Sequence, residues 1–343
     1  MRVTLDGIIF SLQRAGGISV YFRTLLTSLS KEKLDATLII EEPHSQQLDV
    51  FHESISNLSR KARLFERYRS CRLPEKPSIF HSSYYRLPEK KNIPTVVTVH
   101  DFIYERYQRG PHQWVHTAQK NAAIRAAQAV ICISESTKND LLEFVGETPG
   151  QKIYVIHNGV SDIFCNLHLK PSDRPYVLFV GQRGGYKNFH LVLKAMAFLP
   201  DIELHCVGGG SIRPVELKSV PESVARRIRH LGYVSDEELN ALYNGALCLA
   251  YPSSYEGFGI PAIEAMQAGC PVVSSDCKAL VEVGRDALTI VDGSDPRAMA
   301  EAILITASSE RASLVQKGLA VAHGYSWGST HRQTIDVYRS LGV

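Results

Sequence analysis

Short apolar runs separated by longer segments of helical period set the pattern of this chain. Arg2 to Leu5 alternates as a first strand, and Ile8-Ile9-Phe10 prolongs its apolar signal. Tyr21, Leu25, Leu26 and Leu29 then repeat at the spacing of one helix face. Ala36 to Ile40, Ile79 to His81 and Thr95 to His100 have the β-branched density of buried parallel strands. A helix over Gln113–Ala127 follows, then a strand over Ala129–Ile133. Ser134 opens a capping cluster for a helix from Lys138 to Phe144, and Lys152 to Ile156 is the next strand.

Residues 161–175 interrupt this rhythm, with Pro171 and Pro175 and no clear period. It restarts with a strand over Tyr176–Val180, a helix over Phe189–Phe198 and a strand over Ile202–Val207. A strand from Ile228 to Tyr233 precedes Ser235, which reads as a helix cap. The apolar run Ala246–Tyr251 leads into a helix opened by Pro261 and closed by Gly269, and strands Val272–Ser274 and Leu288–Val291 complete the series. Tyr325-Ser-Trp327 introduces a last helix, Gly328 to Leu341. Two successive βα arrays predict an α/β protein of two Rossmann-like, doubly wound domains facing each other across a cleft. The boundaries read as 1–168, 169–325 and a terminal helical segment 326–343.

Composition narrows this picture. The chain has 343 residues, 44% of them hydrophobic and 21% charged, with a formal net charge of +3, so nucleic acid is not an expected partner. The seven cysteines are scattered without a C-x-x-C pair, which predicts reduced thiols in a cytoplasmic protein and no zinc site. No apolar run reaches membrane-spanning length, and Met1–Asp6 lacks the features of a signal peptide.

Candidate chemistry concentrates after two strands of the second array. Glu256 lies in a glycine-rich loop and Glu264 in the helix that follows, with seven residues between them. Gly257 and Gly259 allow close backbone approach, and a helix amino terminus favours an anion. Carboxylates beside a phosphate would repel it, so the pair reads as accepting hydrogen bonds from sugar hydroxyls on either side. Arg183 and Lys187 stand on another glycine-rich turn, Gly181 to Asn188, where two cations suit a diphosphate. The Walker spacing is absent, and no G-x-G-x-x-G follows a first strand, which excludes P-loop and dinucleotide-dehydrogenase readings.

In the first array, Gly16-Gly17 stands where a strand hands over to a helix, as a tight turn or a phosphate-facing loop. His100 and Asp101 end a buried strand at the edge where open parallel sheets bind ligands. From Asn57 to Lys76 the chain is basic, with Arg60, Lys61, Arg63, Arg67, Arg69 and Arg72 among Leu64, Phe65 and Tyr68. Such a segment reads first as an amphipathic helix with a solvated face and its apolar side in the core, with a contact to an anionic membrane or a phosphate-bearing acceptor as the alternative.

These motifs, in this order, resemble the retaining, GT-B-fold glycosyltransferases of family 4 (glycosyl transferases group 1). Glu256 and Glu264 flanking Gly-Phe-Gly match the family's E-x7-E signature. Ala15-Gly16-Gly17-Ile18, Thr98-Val-His100-Asp101, Ile133-Ser134, Asn158-Gly159-Val160, Lys187-Asn188, Leu231 to Ser235 and Tyr325-Ser-Trp327 extend the resemblance over nearly the whole chain.

The resemblance implies that Glu264 binds the ribose hydroxyls and Glu256 the sugar hydroxyls near the reacting carbon. It implies that Gly257, Phe258, Gly259 and Ile260 turn backbone amides toward the diphosphate and sugar, and that Arg183 and Lys187, on the turn from Gly181 to Asn188, hold the diphosphate. Gly16 and Gly17 would close over it, His100 would meet the sugar and acceptor hydroxyls, and Tyr233 and Val234 would flank the base. The last helix is expected to cross back onto the first domain. Gln182 separates Gly181 from Arg183, a departure from the usual family spacing. The wording Gly-Gln-Arg-Gly-Gly-Tyr-Lys-Asn resembles mannosyltransferase-type enzymes of O-antigen and surface-polysaccharide assembly that use GDP-mannose or related GDP-deoxyhexoses.

The implied partners are a nucleotide-sugar donor as co-substrate and a glycan or polyprenyl-diphosphate-linked acceptor, at the inner face of the membrane. No metal is expected, because no D-x-D motif stands at the site. The competing readings are a UDP-sugar-dependent transferase, a GT-B-fold nucleotide-sugar epimerase or phosphorylase, and a silent nucleotide-binding subunit.

Overall fold

A computed structural model describes residues 1–13, 16–42, 55–73, 77–169 and 174–342. Ala15, Lys76 and Pro171 of the motifs above lie outside these residues. Two compact units emerge, Met1–Gly159 together with the chain from Trp327 onward, and Val160–Ser326.

The first unit begins β1 (Arg2–Asp6), α1 (Ile8–Leu12), α2 (Gly17–Lys31), β2 (Asp35–Glu42) and β3 (Ile55–Lys61). It continues β4 (Ile79–Ser82), β5 (Thr95–Val99), α3 (Ile103–Tyr107), α4 (Pro111–Ala126), β6 (Ala129–Cys132), α5 (Glu135–Phe144) and β7 (Lys152–Val155). The seven strands are all parallel, in the order β3-β2-β1-β4-β5-β6-β7. Every residue of β4, β5 and β6 is buried, as expected of strands covered on both faces, which is why they read as unbroken apolar runs.

Two expectations fail here for local reasons. Ile8-Ile9-Phe10 belongs to α1 and not to a strand. The chain turns at Gly7, whose N–H donates to the Ile39 carbonyl at 2.8 Å and whose missing Cβ would lie 2.3 Å from that oxygen. The Asp6 carboxylate then accepts the Ile8 N–H at 3.2 Å. The basic segment is also not a helix. Ile55 to Lys61 pairs residue for residue with Ala36 to Glu42 as the edge strand, and Glu66–Tyr68 is a single 3-10 turn. The open edge of β2 offers a ladder of hydrogen bonds that outweighs a weak helical period.

The second unit contains β8 (Tyr176–Val180), α6 (Phe189–Ala195), β9 (Glu203–Val207), α7 (Pro214–Leu217), α8 (Glu222–Ala225), β10 (Ile228–Gly232) and α9 (Asp236–Gly245). Then follow β11 (Cys248–Tyr251), α10 (Ile260–Gln267), β12 (Val272–Ser275), α11 (Lys278–Gly284), β13 (Leu288–Val291), α12 (Pro296–Thr306) and α13 (Arg311–Ala322). Its sheet is parallel throughout, in the order β10-β9-β8-β11-β12-β13, the doubly wound arrangement whose direction reverses between β8 and β11. One core packs α6 and α12 on a single face of this sheet, gathering Val177, Phe179, Leu204 and Ala250 from alternate strand positions with Phe189, Leu191 and Ile303 from the helices.

The units divide at Gly159/Val160, nine residues before the 168/169 boundary read from composition. The intervening residues are fastened to α9. Asn240 Oδ1 accepts the Cys165 N–H at 3.1 Å, Asn244 Oδ1 accepts that of Leu167 at 2.7 Å, and Phe164 packs edge-on against Tyr243.

The final helix, α14 (Trp327–Ser340), packs in the first unit. Its Tyr338 hydroxyl meets His81 Nδ1 at 2.6 Å, His81 Nε2 meets Thr98 Oγ1 at 2.9 Å, and Thr334 Oγ1 lies 3.3 Å from the Tyr21 hydroxyl. Burial pushes His81 and His331 down to about 3, so both rings are neutral packing elements. The seven cysteines are unpaired, and no described helix is long and apolar enough to cross a membrane.

Candidate functional site

The carboxyl ends of β8 and β11 border the point where strand order reverses, the place where doubly wound sheets open a crevice. The two loops that leave these strands are stapled together. Gly181 turns with φ 116°, Gly185–Lys187 forms one 3-10 turn, and Asn188 takes a left-handed conformation, donating from Nδ2 to the Pro252 carbonyl at 3.0 Å. The Ser254 N–H in turn donates to the Tyr186 carbonyl at 2.8 Å.

This stapling joins two groups that the sequence holds 69 residues apart. Lys187 Nζ donates to Glu256 Oε1 at 2.5 Å and to the Tyr251 hydroxyl at 3.0 Å. Both charged side chains are only about a tenth exposed. Such a pair can exchange partners, the ammonium toward an anion and the carboxylate toward hydroxyls, without uncovering a lone buried charge.

Helix α10 starts beside this pair. Gly259 precedes it at φ 99°, where a Cβ would meet Leu280 Cδ2 at 2.3 Å, so both backbone and packing require glycine. Ile260 is its first residue, and Pro261 follows at no loss of an intrahelical bond. Phe258 packs edge-on against Tyr325, whose hydroxyl donates to the Val283 carbonyl at 3.0 Å. Its ring therefore anchors the loop, and Tyr325 is explained as packing.

On the same helix, half-buried Glu264 accepts a hydrogen bond from the Tyr243 hydroxyl at 3.2 Å. Loss of solvent pushes its carboxyl up to about 8 against the opposing pull of that hydroxyl. A carboxyl with one protein donor and a raised pKa is suited to ligand hydroxyls, which would stabilise its ionised form.

Arg183 occupies a different position from that expected. Its Nε donates to Glu216 at 3.0 Å, Nη1 to the Gly208 carbonyl at 2.9 Å, and Nη2 to the carbonyls of Gly210 and Ser211 at 2.7 and 2.9 Å. Four of its five donors thus brace the glycine turn after β9, and the side chain is almost fully buried. Gly209 has no Cβ for the guanidinium to strike, since one would lie 2.8 Å from Nη1. Of the two expected cations, only Lys187 engages the Glu256 loop. Gln182 puts Arg183 one residue later than the family spacing, and this offset was the visible sign. Beyond β10, Tyr233 is 82% exposed, and Val234 is half-buried beside it.

In the first unit, Gly16 caps α2 and Gly17 is its first, exposed residue. His100 directly follows β5, buried edge-on against Tyr21, with Nε2 unpartnered among the described residues. Burial, helped by the charge of Lys120, pushes it down to about 3, so the ring is neutral. Lys120 was not singled out by sequence. Buried in α4, it donates to the Asp101 carbonyl at 2.6 Å and to Glu105 at 3.1 Å, and lies 3.5 Å over the Phe102 ring, bracing the turn after His100. Its signal was a lysine on the helix face that also carries His116, Ala123 and Ile124. Ser134 accepts the Thr137 N–H at 2.9 Å, which is the capping role. Among the described residues no three His, Cys, Asp or Glu side chains gather as metal ligands.

Comparison with known proteins agrees with this geometry. Residues 137–318 match the family model for glycosyl transferases group 1, and residues 15–162 that for glycosyltransferase family 4. The chain is 29% identical over 290 residues to O-antigen chain mannosyltransferase B of Escherichia coli, covering 78% of this chain and 75% of that protein. It is 28% identical over 287 residues to alpha-maltose-1-phosphate synthase of Mycobacterium tuberculosis, covering 73% and 74%. Sucrose-phosphate synthase from Thermosynechococcus elongatus superposes with a TM-score of 0.80 at 21% identity over 99% of both chains. Anabaena HepE in complex with UDP-glucose does so at 0.73 and 16% identity, over 99% of this chain and 100% of that one, and both share the GT-B fold.

Proposed function

Because the chain belongs to the glycosyl transferases group 1 family, we propose that it moves mannose or a related deoxyhexose from a GDP-linked donor, with retention, to a glycan or polyprenyl-diphosphate-linked acceptor in surface-polysaccharide assembly. The observation that carries the chemistry is the Lys187–Glu256 pair at the strand-order reversal. The mannose preference is supported by the similarity to the O-antigen mannosyltransferase and by the wording of the Gly181–Asn188 loop.

In this reading the donor's diphosphate takes Lys187 from Glu256, and Glu256 accepts sugar hydroxyls in exchange. The anomeric carbon–oxygen bond breaks with its electron pair leaving on the diphosphate, where the Lys187 ammonium and the positive end of α10, past Gly257 and Gly259, stabilise the developing charge. The acceptor oxygen bonds to the anomeric carbon and its proton leaves with the diphosphate. Glu264 accepts the ribose hydroxyls, Tyr233 and Val234 flank the base, and neutral His100 offers Nε2 to a hydroxyl. No divalent ion is required, and Arg183 serves by shaping the loop.

Thermal-shift titration with GDP, UDP, ADP and their sugar conjugates tests the donor, because a ligand of the folded state raises the melting temperature. GDP-mannose is expected to give the largest rise, persisting in EDTA, and Glu264→Ala to abolish it. A larger rise with UDP-glucose overturns the GDP assignment, and no rise with any conjugate overturns the nucleotide-sugar reading. For turnover, Lys187→Ala is expected to lower kcat by about 10²-fold or more. Product formed without any acceptor would indicate an epimerase.

A further inference from the structure

We propose that the face of the first unit formed by the turn at residues 61–70 and the start of α4 docks on an anionic lipid bilayer. The surface stands apart from the transfer chemistry and is argued from its own residues.

The turn is built to hold two apolar side chains outward. Arg63 donates from its backbone N–H and Nε to Glu66 Oε2 at 2.9 and 2.7 Å, and from Nη2 to Oε1 at 2.7 Å. Buried Arg86 grips the same carboxylate from beneath at 2.9 Å. Arg69 Nε closes the loop onto the Leu64 carbonyl at 2.9 Å. At the tip, Leu64 is 74% and Phe65 67% exposed. Phe65 also has φ 58°, a left-handed conformation that a bulky aromatic residue avoids unless its surroundings impose it. The bonds on either side maintain that conformation and keep the tip from folding back.

Helix α4 extends the surface. Gln119 Nε2 donates to the Arg67 carbonyl at 2.8 Å, which sets the helix beside the turn. Val115, one helical turn earlier on the same face as Gln119, is exposed, and its neighbour Trp114 is 69% exposed. Exposed Tyr68 and Tyr107 border the patch, and the Arg67 guanidinium lies 4.9 Å over the Tyr84 ring.

Charge selects the partner. Residues 55–73 carry six cations (Arg60, Lys61, Arg63, Arg67, Arg69 and Arg72) and one acid, Glu66, giving the segment +5 in a chain of +3. That acid is buried and paired. Lys61 and Arg69 are exposed, and neither has a carboxylate partner among the described residues. A second copy would set the same positive field against itself across a two-fold axis, and nucleic acid, whose bases can stack on Phe65 and Trp114, offers no apolar layer to receive Leu64 beside them. A bilayer with acidic headgroups supplies both a negative surface and an acyl boundary that accepts Leu, Phe and Trp.

Co-sedimentation of the full chain with phosphatidylglycerol/phosphatidylcholine vesicles, beside pure phosphatidylcholine vesicles, tests this. Binding is expected to the anionic vesicles and to fall at least about tenfold in Leu64→Ser/Phe65→Ser and in Lys61→Glu/Arg69→Glu. The variants should keep the parent circular dichroism spectrum and melting temperature. A readout without surface disruption comes from tryptophan emission, since the chain has two tryptophans and Trp327 is stacked on His331 in α14. Emission should shift to the blue on anionic vesicles, and Trp114→Phe should remove the shift. Equal binding to both vesicle types, binding unchanged in both double variants, or no binding at low salt would overturn the proposal. A dimer abolished by Leu64→Ser/Phe65→Ser, without vesicle binding, would also overturn it and reassign the face to self-association. None of these outcomes bears on nucleotide binding or transfer, which are read in solution without vesicles.

Discussion

Replacement of Arg183 by alanine separates a bracing role from a ligand-binding one. The guanidinium ties Glu216, Gly208, Gly210 and Ser211 into one cluster through four hydrogen bonds of 2.7 to 3.0 Å. Breaking a buried ion pair usually costs about 3–5 kcal/mol. Here the low end applies. Glu216 keeps the Arg213 N–H at 2.8 Å, Gly208 O keeps His230 Nε2 at 3.2 Å, and the other two carbonyls belong to exposed residues that water can reach. About 3 kcal/mol in a unit of this size corresponds to a melting-temperature fall of roughly 6–12 °C. Arg183→Lys should recover little of it, because a point charge cannot reproduce the planar fork. Differential scanning fluorimetry and nucleotide titration of the two variants, beside Lys187→Ala, provide the assay. Arg183→Ala should melt early while binding nucleotide within about tenfold of the parent at low temperature. A variant that melts within about 2 °C of the parent but loses nucleotide affinity a hundredfold would refute the bracing role and return the arginine to the diphosphate.

Further predictions follow the same residues. With its folded-state pKa raised to about 8, the Glu264 carboxyl binds its proton more tightly in the folded chain than in the unfolded one. Stability from this group is therefore greatest at low pH and is lost as pH rises from about 4.5 to 8, by up to a few kcal/mol. Glu264→Gln should remove that slope from the melting temperature, and parallel profiles for parent and variant would exclude the shift. Gly259→Ala combines a positive φ with a clash on Leu280 and should cost about 2–5 kcal/mol in urea unfolding. A change under about 0.5 kcal/mol would mean that the loop relaxes. Tyr338→Phe leaves buried His81 Nδ1 without its partner and should cost about 1–3 kcal/mol, measured in the same way. No loss there would mean that α14 is held by its apolar contacts alone.

Local pattern was enough to determine the alternation of strands and helices, the interruption between two arrays, the caps at Ser134 and Ser235, and the loop with Glu256 and Gly259. These follow from side-chain period, backbone freedom and short-range hydrogen bonds, all of which act within a few residues. Partnership across strands was settled only in three dimensions. Ile8–Phe10 became helical because the Ile39 carbonyl captures the turn at Gly7, and Ile55–Lys61 became a strand because β2 had an open edge. Arg183 and Lys187 stand on one loop with the same charge, yet the glycine turn after β9 captured the first and the loop after β11 the second. Which carbonyl or carboxylate lies within 3 Å of a long cation depends on the order in which parallel strands assemble, and a linear pattern of residues does not contain that order.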